Sequence, residues 1–165
     1  GLGGMPEFRA PEVVRYERYG QSSDMYSMAG LMGMMFTENP NRFIDLKLTF
    51  GDYFEIDQDR DDYKKILAAA TTPYNFESMF EGIGSGIDEG LKSNMCAFGE
   101  RMGDPNEANR PSSEEAAQYF TSLCEVYELK NTAQAPDLLK KFLSDFSQAA
   151  PAKIAEEKPV SPSPR

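Results

Sequence analysis

Between Asn75 and Met102 the apolar residues recur at Phe76, Met79, Phe80, Ile83, Ile87, Leu91, Met95, Phe98 and Met102. Steps of three and four residues are the period of one helix face, and they predict a single helix across the whole stretch. The same residues include the interior glycines Gly82, Gly84, Gly86, Gly90 and Gly99. Each glycine costs a helix roughly 0.5–1 kcal/mol relative to alanine, so close packing must compensate. Gly82, Gly86 and Gly90 stand four apart and share a face of the predicted helix. They predict a groove of bare backbone open to another helix or a flat ligand. This helix is expected at the centre of an all-α domain, a small bundle of about four to six helices. The domain is expected over residues 12–148, with an extended arm at 1–11 and an extended proline-rich tail at 149–165.

The remaining helices are read from their ends and periods. Ser22 or Ser23 can cap a helix that starts near Asp24 and runs through Met25, Met28, Ala29, Met32 and Phe36, with Leu31, Met34 and Met35 round its sides. Asn39-Pro40 ends it. Arg42–Phe50 fits a helix, with a short strand as the alternative, because its apolar residues suit both periods. Asp57, Asp59 and Asp61 imitate the first acids of a calcium loop. Asp62 stands where that loop needs glycine, and Ala68 where it needs a bidentate glutamate. The acids therefore read as the N-terminus of a helix carrying Tyr63, Ile66 and Leu67. Ser112 and Glu115 form a capping-box pattern ahead of Ala116, Phe120, Leu123, Cys124 and Tyr127, with Asn131 as the closing residue. Pro136 and Asp137 open a last helix with a stripe of Leu138, Leu139, Phe142, Leu143 and Phe146.

The composition excludes much chemistry. The chain has no histidine, which removes the Ser-His-Asp triad, the Cys-His pair and every His-containing zinc site. Its 2 cysteines, Cys96 and Cys124, are too few for a disulfide scaffold or a four-thiolate metal site. They are expected as buried free thiols, or else as one bridge between two helices. Gly82-Ile83-Gly84-Ser85-Gly86 lacks the spacing of a phosphate loop. No catalytic, metal or cofactor residues are assigned. A net charge of −10 argues against nucleic acid and against anionic lipid surfaces. No apolar run is long enough to span a bilayer.

The expected function is that of a non-catalytic accessory or linking subunit of a larger protein assembly. Candidate partner contacts are Met25, Met28, Met32 and Met35 on the Met-rich helix and Gly82, Gly86 and Gly90. Pro159, Pro162 and Pro164 of the tail join them, since that tail has no core of its own and would be ordered only against a neighbour. The first residue, Gly1, suggests a processed N-terminus. An extrinsic place on a photosynthetic or respiratory complex of an organelle is the expected setting, touching a membrane complex only peripherally. The alternative is a helical carrier holding a pigment or lipid against the Gly82/Gly86/Gly90 face.

Overall fold

The computed structural model describes residues 8–36, 61–77 and 86–147. Six α-helices follow one another among them: α1 (Pro11–Val14), α2 (Gln21–Phe36), α3 (Asp61–Thr71), α4 (Glu89–Met102), α5 (Ser113–Glu128) and α6 (Ala135–Asp145). A 3₁₀ turn, Glu107–Asn109, lies between α4 and α5. No strand occurs among the described residues, and the fold is an all-α bundle as expected. No described helix is long and apolar enough to cross a membrane.

The helix predicted over 75–102 is not continuous. Gly86, Ile87 and Asp88 form a turn, and α4 begins only at Glu89. Asp88 is the physical reason for the late start. Its carboxylate accepts from the Leu91 amide at 3.0 Å and satisfies a donor that a helix start leaves open. With Gly86 and Gly90 on either side, the backbone loses little by leaving the helix there. The proposed ladder therefore does not lie on one helix face. Gly86 is exposed with nothing close to it, Gly90 approaches Leu143, and Gly82 lies outside the described residues.

A groove of bare backbone does exist, further along the chain. It is formed by Gly99 and Gly103 at the end of α4. A Cβ on Gly99 would sit 2.8 Å from the Phe76 ring, and one on Gly103 would sit 2.0 Å from the Tyr74 ring. The segment leading out of α3 fills the groove with its own aromatic side chains, so no outside occupant is needed. Phe76 is fully buried there and Tyr74 packs edge-on to it at 5.9 Å between centroids.

Around that plug α2, α4, α5 and α6 share one core, in which Met25, Met32, Phe98, Met102, Tyr119 and Phe142 are buried. The Phe98 and Tyr119 rings stack at 3.7 Å, joining α4 to α5. Asn94 ties three helices together. It accepts from the Tyr119 hydroxyl at 2.9 Å and donates to the Phe146 carbonyl at the end of α6, also at 2.9 Å.

The helix ends show which local signals were used. Ser112 caps α5, accepting from the Glu115 amide at 3.1 Å. The reciprocal half of the capping box is diverted, because the Glu115 carboxylate takes both terminal nitrogens of Arg101. Helix α5 ends at Glu128, before Asn131. Pro136 sits in the first turn of α6 as read from the sequence. Helix α2 starts at Gln21, earlier than the serine cap predicted, and the Gly20 carbonyl accepts from Ser23 and Asp24. Ser23 is free to face inward because its backbone position does not need its side chain.

A second, smaller layer consists of α1 and α3. Val14 packs with Tyr63, Ile66 and Ala70, and among the described helices α3 rests mainly on α1. Ala10 and Val13 join this layer to Tyr26 of α2. The expected N-terminal arm is thus buried where it is described: Phe8, Ala10 and Pro11 all lie inside the domain. The expected element at Arg42–Phe50 and most of the acidic run before Asp61 lie outside the described residues.

Candidate functional site

Helix α2 carries no charged residue after Asp24. A helix that is apolar on every side belongs inside a larger structure. Here its inner side meets the core and its outer side does not. Met25, Ala29 and Met32 are buried, whereas Met28, Leu31 and Met35 remain 39%, 51% and 80% exposed. Residues 28, 31 and 35 are separated by three and four positions, so they form one stripe along the helix. No polar side chain interrupts it.

The four methionines named from the sequence therefore divide. Met25 and Met32 are core residues and are unavailable to a partner. Met28 and Met35 are available, and Leu31 completes their surface. A periodicity anchored on Met25 leaves Leu31 and Met35 round the sides of the helix. Moving the reference by one turn edge, to Met28, brings Leu31 and Met35 into line. Pro159, Pro162 and Pro164 lie outside the described residues.

Polar chemistry is concentrated elsewhere, in a buried network that sequence reading did not find. The Arg110 guanidinium donates to both carboxylate oxygens of Glu12, at 2.7 and 3.0 Å. It also donates to the backbone carbonyls of Ser22 at 2.9 Å and Asp104 at 2.8 Å. Ser23 donates to Glu12 at 2.9 Å. The guanidinium lies 5.1 Å from the Tyr26 ring centroid, a cation–π distance. Burial works against ionisation of Glu12, but the hydrogen bonds and charge of Arg110 outweigh it and hold the carboxyl below its usual range. Every oxygen of the carboxylate is engaged, so the network is structural and leaves no group poised to attack a substrate.

Next to it the Tyr74 hydroxyl hydrogen-bonds to that of Tyr26, which donates onward to the Ala70 carbonyl at 2.9 Å. Burial pushes Tyr26 up to about 12 and raises Tyr74 as well, so both stay protonated at neutral pH.

The Cys96 thiol does not read as a nucleophile. Cys96 is buried and free, and burial, with Glu100 and Glu77 nearby, pushes its thiol up to about 11. Cys124 is free but exposed, contrary to the expectation that both are buried. Among the described residues no group of His, Cys, Asp or Glu is arranged to hold a metal ion. Comparisons with protein families, with curated proteins and with solved structures find no match for this chain, so the outer stripe of α2 is characterised by its own chemistry alone.

Proposed function

We propose that this chain is a non-catalytic accessory subunit that docks on a partner protein through Met28, Leu31 and Met35. The observation that carries the reading is the exposed, uncharged outer side of α2. Three large apolar side chains in line favour an apolar ridge on the partner, and flexible thioethers adapt to its shape. The net charge of −10 disfavours a second copy and an anionic membrane as occupants. It favours a partner helix whose apolar stripe is flanked by lysine or arginine. The non-catalytic part of the proposal rests on the lack of histidine and on the full engagement of Glu12.

The test uses a Leu/Lys peptide patterned as an amphipathic helix and a scrambled peptide of the same composition. The patterned peptide is expected to bind the intact chain about tenfold more tightly, a difference of roughly 1.4 kcal/mol. That preference is expected to vanish in Leu31→Gln/Met35→Gln, with circular dichroism unchanged. Equal binding of both peptides, or full preference in the double variant, overturns the reading.

A further inference from the structure

Residues 8–14 are buried without a break, and beyond the local bonds of α1 they are tied to distant parts of the chain. Ser27 donates to the Phe8 carbonyl at 2.8 Å. The Phe8 ring lies over Gly30, where a Cβ would come within 2.5 Å of it. Glu12 is bound by Arg110, 98 positions away. Val14 supports Tyr63, Ile66 and Ala70 of α3.

The next six residues are different. Arg15–Gly20 is exposed at every position. Helix α1 closes with the Glu17 amide bonded to the Glu12 carbonyl and the Tyr16 amide to that of Val13, the Schellman pattern. Its C′ residue, Tyr16, has φ 58°, a left-handed conformation usually left to glycine. The loop's side-chain ties, Arg18 to Glu107 and Tyr19 to Asp24, lie on the surface, where such contacts contribute little.

We propose that Phe8–Val14 is a strap that opens as a unit about the Arg15–Gly20 loop, with the Glu12–Arg110 pair as its latch. Helix α3, which rests mainly on α1, loosens with it. Opening leaves α2, α4, α5 and α6 packed on one another. It uncovers the Gly30 side of α2 and the inner side of α3. The strap and the docking stripe are separate surfaces, and the inference stands without the docking reading.

Hydrogen exchange of the full chain, followed by mass spectrometry in a series of urea concentrations below the unfolding transition, tests this. Peptides from the strap and from α3 are expected to exchange together, at least about tenfold faster than peptides from α4 and α5. Glu12→Gln is expected to speed exchange of the strap and α3 further while α4 and α5 keep their wild-type rates. If all four regions exchange at one common rate, the strap opens only with global unfolding and the proposal is wrong. It is equally wrong if Glu12→Gln accelerates every region by the same factor. The wild-type urea series decides the matter alone should that variant fail to fold.

Discussion

Met32 and Met35 sit one turn apart on the same helix, with the same side chain, and share almost nothing else. Met32 is buried in the core that α2 shares with α4, α5 and α6, whereas Met35 is exposed. The contrast extends along α2. On its inner side Met25, Ala29 and Gly30 meet close neighbours, and on its outer side Met28 and Leu31 meet none that bury them. Methionine density therefore marks a helix that can be covered from all directions. Which direction is covered depends on where the other helices lie, and local composition carries no information on that.

The largest effect should come from the inner side. Met32→Ala is expected to lower stability by about 2–5 kcal/mol, because a buried side chain is lost and the site cannot collapse fully. Urea unfolding monitored by circular dichroism measures it. A loss as small as that of an exposed residue would erase the distinction between the two sides. Gly30→Ala should follow, at about 1–3 kcal/mol, since the Phe8 ring must move to admit a Cβ.

Of the two sides of α2, acid should act on the inner one, where Ser23 donates to the Glu12 carboxylate. The folded pKa of Glu12 lies below the ordinary 4.5, so near that pH the unfolded chain binds more protons. The contribution of Glu12 is then complete above about pH 4.5 and is lost as pH falls through the folded value. Glu100 runs the other way: burial, with Glu77 beside it, raises its carboxyl, so acidification relieves a cost there. The difference in acid dependence between wild type and Glu12→Gln isolates the first term. It should appear as a shallower loss of stability below pH 4.5 in the variant.

A smaller gain is expected from Tyr16→Gly, about 0.5–1 kcal/mol, because glycine accepts the left-handed C′ position without steric cost. Smallest of all, Met35→Gln should change stability by no more than about 0.5 kcal/mol, as exposed substitutions usually do. A large loss at Met35 would mean that the outer stripe is already covered by the folded chain.

Much of the fold could be read from helix ends. Ser112 before Glu115 and Pro136 before the Leu138 stripe are signals contained within a few residues, and both mark helices in the structure. The long helix over 75–102 misled because a three-to-four period can continue through a turn when the flanking glycines leave the backbone undecided. Asp88 was the cue, an N-cap residue two positions after Gly86. The Glu12–Arg110 pair had no such cue. Neither residue differs locally from the other charges around it, and only tertiary folding brings them together. The candidate site is half legible: methionine density points to Met28 and Met35, but nothing local separates them from Met25 and Met32, whose burial depends on where the other helices lie.

The rings that plug the backbone at Gly99 and Gly103 couple the sizes of residues on two separate segments. A larger residue at 103 can be tolerated only with a slimmer one at 74, and likewise 99 with 76. Drift at either member of a pair is thus confined until its counterpart has changed, so these four positions are expected to vary jointly in any diverged copy of the chain.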